Sequence, residues 1–182
     1  MPMSNAHASA LKSMALLRAL TTAEFDSIAA IAQRRELASG AELFREGDVG
    51  DGLYLVVAGE INVMKRGPDG EHLLAKLGPG AVLGEMSLIT SEARSATGRA
   101  LGEAVVLHLP LTEFRALLNS GSTAALKITH AIAEVLARRL AAMNSLVMGL
   151  TAAKPVSAVD KTTGLKTQDL KELHRKMQVW SF

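Results

Sequence analysis

Turn residues recur every several positions between Gly40 and Pro110, and this spacing limits the fold more than any other feature of the chain. The punctuation reads "SGAELFREGDVGDG", "VAGE", "RGPDGE" and "LGPG". Between these turns lie short apolar runs: "LYLVV", "INVMK", "HLLAKL" and "RALGEAVVLHLP". Strands of this length, separated by regular turn signals, pack as an antiparallel sandwich or small barrel. Pro68, Asp69 and Gly70 in "RGPDGE" mark a tight hairpin. Aromatic residues make up only 3% of the chain, so Leu, Val, Ile, Met and Ala must fill its core.

Helical texture flanks this β-rich centre. Residues 10–37 read as two helices, "LKSMALLRAL" and "TTAEFDSIAAIAQRREL". Thr21 with Glu24 three residues on forms a capping-box signature for the second. Pro110 closes the last strand, "LTEFRALLNS" follows as a short helix, and Gly121 ends it. Residues 122–150 read as one long amphipathic helix. Its stripe of Leu136, Leu140, Met143, Val147 and Leu150 steps by four, three, four and three residues, a short coiled-coil seam. That seam suits either burial against the roll or a two-fold contact with a second copy. Residues 151–165 are a Pro/Gly/Ser/Thr linker. Residues 166–182 predict a small amphipathic helix with Leu170, Leu173, Met177 and Trp180 on one stripe.

The expected organisation is N-terminal helices over 1–37, a roll over 38–121, a long helix over 122–150, and a linker and tail helix over 151–182. The class is α+β, mainly β: an antiparallel double-stranded β-helix, or jelly roll, flanked by helices.

Composition excludes several functions. The chain has no Cys, so disulfides and thiolate metal sites are absent. No apolar run approaches the roughly 18 residues of a membrane helix, and the start, "MPMSNAHASALKSMALL", lacks the pattern of a signal peptide. The expectation is a cytoplasmic protein with no membrane contact. The last 32 residues hold six Lys and Arg against three Asp and Glu, leaving 14 basic and 15 acidic side chains in the rest. Such a nearly neutral body argues against a large nucleic-acid face. His72 and His108 stand alone in strand-like segments, with no neighbours at metal-ligand spacing. No Ser/His/Asp arrangement is visible. The expectation is therefore a binding protein, not an enzyme, and no metal.

One stretch carries chemistry: "LGEMSLITSEARSATGRA", residues 83–100. Arg94 stays charged and can donate two parallel hydrogen bonds to a phosphate. The small residues Ser95 and Ala96 let backbone N–H groups approach the same anion, and "EMSLIT" can form a turn of helix beside them. Glu85 repels phosphate but accepts from a hydroxyl, and Gly84 lets the chain come close to a sugar. One acid and one base here match a ligand with a hydroxyl beside a phosphate. A structural ion pair between Glu85 and Arg94 is the alternative.

The same stretch resembles the phosphate-binding cassette of the cyclic nucleotide-binding domain family. Gly84, Glu85, Met86, Ser87, Leu88, Arg94, Ser95 and Ala96 match its pattern of Gly-Glu, hydrophobic, small, hydrophobic, then Arg, small, Ala. Upstream, "EGDVGDGLYLVVAGE" resembles the family's Gly-Asp-x-Gly turn, hydrophobic run and Gly, on Gly47, Asp48, Gly50, Leu53–Val56 and Gly59. The resemblance covers about residues 11–145. It implies that Glu85 accepts from the ribose 2′-hydroxyl and that Arg94 pairs with the cyclic phosphate beside the Ser95 and Ala96 backbone. Gly84, Met86 and Ser87 would add close main-chain contacts, and Gly47, Gly50 and Gly59 would be turn residues. Two positions depart from the pattern. Ala93 stands where Pro is common, and Gly98 stands where an aliphatic residue is usual, which takes a side chain from the pocket wall.

The resemblance further implies a switch in which the long helix closes over the base. Arg138, Arg139 and Trp180 are candidates to cap the purine, with Asn144 a more distant one. Ser95 after the Arg favours cyclic AMP over cyclic GMP. The implied protein is a cyclic nucleotide sensor, homodimeric through the 122–150 helix, that signals to an unknown effector. Two alternatives are a cyclic-AMP-receptor-type transcription regulator and a degenerate docking module. For the first, the 32 residues after position 150 leave no room for a DNA reader, so direct DNA binding is not expected.

Overall fold

A computed structural model describes residues 14–90 and 92–152. Its order is α1 (Thr22–Ile31), β1 (Gln33–Leu37), β2 (Glu42–Phe44), β3 (Gly52–Ala58), β4 (Ile61–Gly67), β5 (Gly70–Leu77) and β6 (Val82–Leu83). There follow α2 (Glu85–Thr90), β7 (Thr97–Ala100), β8 (Ala104–Pro110), α3 (Leu111–Asn119) and α4 (Thr123–Ala152).

The eight strands form two four-stranded sheets, ordered β1-β8-β3-β6 and β2-β7-β4-β5, and every pairing is antiparallel. This is the roll expected from the turn spacing. The β4–β5 hairpin turns through Pro68 and Asp69, with Gly67 opposite Gly70.

The central strands β3 and β8 are buried on both faces, which is why they read as unbroken apolar runs. Alternation sorts their side chains. Tyr54, Val56 and Val106 enter the space between the sheets, with Ile61, Leu77, Leu83 and Ala100. Leu53, Leu55, Leu107 and Leu109 point the other way, onto Phe25, Ile28, Phe114, Ala125, Ile128 and Ile132 of the helices. The helical layer is therefore built directly on the sheet that carries the cassette.

The capping box forms as expected. The Thr21 N–H donates to Glu24 Oε2 at 2.7 Å, and the Glu24 N–H reaches Thr21 Oγ1 at 3.4 Å. Glu24 also pairs with Lys127 at 2.7 Å, which ties α1 to α4.

Three expectations need correction. Residues 33–37 continue no helix; "QRREL" is β1, paired with β8 from Gln33↔His108 to Leu37↔Ala104. Gln, Arg, Glu and Leu are good helix formers, but propensity is worth only tenths of a kcal/mol per residue, and a complete ladder overrides it. The roll thus begins at Gln33, not residue 38. "LKSMALLRAL" is, within the described residues, a turn over 15–19 that buries Met14, Leu16 and Leu17. "RALGEAVVLHLP" is two strands in different sheets, broken at Leu101–Glu103.

The long helix runs from Thr123 to Ala152, slightly past its expected end. Along its seam Leu136 packs on the core, while Leu140 is 61% and Met143 49% exposed. Residues 153–182, including the expected tail helix and Trp180, lie outside the described residues.

Candidate functional site

The site is built where β6 gives way to α2. Gly84 makes the bend at φ +75°, and a Cβ there would lie 2.0 Å from Arg94 Nη1 and 2.9 Å from the Gly52 carbonyl. Glycine is required both for the left-handed backbone and for the arginine behind it. Glu85 begins α2, and Ser87 lies one half-turn on; both are buried, as is Arg94.

Arg94 is anchored on nearly every donor it has. Nη1 donates to Ser87 Oγ at 2.8 Å and to the Gly84 carbonyl at 3.2 Å. Nη2 donates to Asp51 Oδ1 at 2.6 Å and to the Gly52 carbonyl at 2.8 Å. Its plane lies over the Phe44 ring, 4.4 Å from the centroid. Nε is buried with no partner among the described residues. A guanidinium donor left unpaired in a buried place carries a desolvation cost until an acceptor arrives.

The backbone of Arg94 is also clamped. Its N–H donates to the Asp48 carbonyl at 2.8 Å, and its carbonyl accepts from the Gly47 N–H at 2.9 Å. Asp48 Oδ2 in turn accepts from the Arg45 N–H at 2.8 Å, and Gly47 holds φ +89°. Gly50 is needed for a different reason, since a Cβ there would meet Ser87 Cβ at 2.2 Å. The upstream glycine motif is therefore the floor on which the cassette rests.

Glu85 and Arg94 are not partners, so the ion-pair alternative fails. Arg94 pairs with Asp51, and Glu85 pairs with Arg139 of α4. Arg139 also reaches the Val82 carbonyl at 3.4 Å. Arg138, the other arginine expected near the base, is instead exposed and bonds Glu134 at 3.3 Å along its own helix. Asn144 is exposed on α4. At the rim, Ser95 Oγ donates to Met86 Sδ at 3.8 Å, and Met86 is 43% exposed while Ala96 is buried.

Several residues that shape the site carried no motif. Behind Arg94, Asp51 accepts from Tyr54 Oη at 2.9 and 2.8 Å. Burial alone would push the Asp51 carboxyl up, but hydrogen bonds from Tyr54 and Arg94 outweigh it and hold it below the usual range. Burial, then the Asp51 bond, pushes the Tyr54 hydroxyl up to about 12. His108 stacks on Tyr54 with ring centroids 4.6 Å apart and takes Arg35 Nη2 at 2.7 Å on Nδ1. Burial and then the Arg35 charge pull its pKa down, which keeps it neutral beside two guanidinium groups. An aspartate followed by glycine in a turn, three residues before an inward tyrosine, was the sequence signal that Asp51 offered.

Gly98 also has a structural explanation. It lies opposite Phe44 in the β2–β7 pair, and a Cβ there would meet Phe44 Cζ at 3.1 Å. The phenyl ring occupies the wall that an aliphatic side chain at 98 would have filled.

Comparison with known proteins agrees with this architecture. The cyclic nucleotide-binding domain profile matches residues 34–120. A cyclic nucleotide-binding-like protein from Brucella abortus is 33% identical in its solved structure, with TM-score 0.55, covering 63% of this chain and 99% of that one. The chain belongs to the cyclic nucleotide-binding domain family. The N-terminal domain of a transcriptional regulator from Streptomyces coelicolor is 34% identical, with TM-score 0.62, covering 83% and 99% of the two chains. The cyclic AMP receptor protein of Thermus thermophilus is 36% identical over 131 residues, which is 71% of this chain and 59% of that protein. The chain thus spans less than two thirds of that curated relative. The matched region is a cyclic nucleotide-binding domain by family. Among the described residues there is no cluster of metal-ligating side chains, and no helix is long and apolar enough to cross a membrane.

Proposed function

We propose that this chain is a cyclic nucleotide sensor that favours cyclic AMP and passes the bound state on through α4. One observation carries the reading: Arg94 is buried with its Nε unpaired, while the buried Glu85 at the opposite end of the cassette is held by α4. A cyclic phosphate would take Arg94 and the backbone of Ser95 and Ala96. The ribose hydroxyl would take Glu85, with Gly84, Met86 and Ser87 lining the approach.

Glu85 then links ligand to signal. A hydroxyl arriving there engages the carboxylate that Arg139 holds, so occupancy acts directly on the long helix. The helix shifts only as far as its contacts differ between the empty and filled states. Ser95, rather than Thr, after the arginine supports cyclic AMP, as does the name of the Thermus relative. The exposed Leu140 and Met143 support a homodimer through α4.

Calorimetric titration with cyclic AMP and cyclic GMP, on wild type and Arg94→Ala, tests the reading. Removing one side of a buried charged contact costs about 2–5 kcal/mol, or roughly 30-fold and more in affinity. Wild type should bind cyclic AMP more tightly than cyclic GMP, and the variant should lose that binding while still folding. Equal binding by both proteins refutes the site.

A second reading follows from the span of the Thermus relative, since this chain covers 59% of it. The chain would then act as a transcription regulator of the cyclic-AMP receptor type. Retardation of duplex DNA by the cyclic AMP-loaded protein would favour it.

A further inference from the structure

We infer that Lys65 is a positioning residue for the phosphate subsite, aiming the Ala96 N–H by holding the carbonyl of Ser95. This rests on the proposed nucleotide site and assigns a role to a residue of a different strand.

Lys65 lies on β4, 30 residues before Ser95. Its Nζ donates to the Ser95 carbonyl at 2.7 Å and to Glu46 Oε1 at 2.7 Å. Glu46 is fixed in turn: Oε2 accepts from the Arg66 N–H at 3.0 Å, and its own N–H donates to Thr97 Oγ1 at 3.0 Å. The segment is thus pinned on both sides of Ser95, at Arg94 by the Gly47–Asp48 turn and at Thr97 by Glu46.

A trans peptide points its N–H opposite to its C=O, and the described chain has no cis peptide. Fixing the Ser95 carbonyl on Lys65 therefore sends the Ala96 N–H away from β4. Among the described residues, that N–H and the Ser95 N–H have no acceptor. A cation on the carbonyl also polarises the amide and makes its N–H a better donor to an anion.

The lysine's charge does not explain its placement as steering. Glu46 neutralises it at 2.7 Å and is itself held below the usual carboxylate range, chiefly by the Lys65 bond. What Lys65 adds beyond a neutral pair is direction.

The test uses cyclic AMP and the two phosphorothioate diastereomers of cyclic AMP, titrated into wild type, Lys65→Met and Lys65→Arg. Sulfur accepts hydrogen bonds poorly, so each diastereomer weakens contacts at one exocyclic position. Lys65→Met should bind cyclic AMP about tenfold more weakly, the worth of one charge-assisted hydrogen bond. It should also shrink the affinity ratio between the diastereomers, and Lys65→Arg should restore much of that ratio. A merely structural role would weaken both diastereomers equally. Wild-type affinities in Lys65→Met, or an equal loss with the ratio unchanged, overturns the inference alone. Failure of wild type to bind any of the three overturns the proposed site and this inference with it.

Discussion

Replacing Gly84 by Ala should do more damage than replacing another left-handed glycine, because of what stands behind it. The φ of +75° alone costs a non-glycine residue about 1–2 kcal/mol. The new Cβ would also stand 2.0 Å from Arg94 Nη1. An exposed arginine would swing aside at small cost. Arg94 is 4% exposed and bonded to Ser87, Gly84, Asp51 and Gly52, so moving it breaks charged hydrogen bonds worth about 1.5–3 kcal/mol each. Losing one such bond brings the total to about 3–5 kcal/mol, or roughly 6–20 °C in Tm at 2–4 °C per kcal/mol. Gly80 is the control: its φ is +90°, and no atom lies within 4 Å of its added Cβ. Gly80→Ala should lose only about 1–2 kcal/mol, from the backbone strain, and bind cyclic AMP normally. Thermal melts and nucleotide titration of the two variants separate the contributions. Equal Tm losses, with Gly84→Ala binding as tightly as wild type, would refute the claim that Gly84 exists to seat Arg94.

His108 makes a pH prediction. Its folded pKa lies below the ordinary 6.5, so the unfolded chain binds the proton more readily. Stability should therefore be complete above about pH 6.5 and fall as the pH drops below it; His108→Gln should remove that step in urea denaturation between pH 5 and 8. Asp51 adds to the same trend at lower pH, because its depressed folded pKa gives stability that is full above its ordinary 3.8 and lost as pH falls through the folded value. On α4, Leu140→Glu should shift sedimentation from dimer to monomer, and identical monomeric behaviour of wild type and variant would remove the dimer from the account.

The cassette and the roll were legible in the sequence because their signals are local. Gly84 to Ala96 lie within one short stretch, and each turn carries its own glycine or proline. The partners of Arg94 were not legible, because sheet pairing supplies them. Asp51 arrives from the residue just before β3, Phe44 from β2, and Arg35 and His108 beside them are brought together from β1 and β8 across 73 residues. β1 was hidden by its charge: an edge strand can carry Arg and Glu freely, and those residues read as helix. Gly98 looked like a missing wall until the β2–β7 register placed Phe44 against it. Of the two arginines expected near the base, only the structure distinguished Arg139 on Glu85 from Arg138 on its own helix.

A crystal structure of the chain with cyclic AMP is the most direct test of the central claim. The account predicts the cyclic phosphate within hydrogen-bonding distance of Arg94 and the Ala96 N–H, and the ribose hydroxyl on Glu85. A nucleotide bound elsewhere, with the Arg94 guanidinium still hydrogen-bonded only to Asp51, Gly52, Gly84 and Ser87, would contradict it.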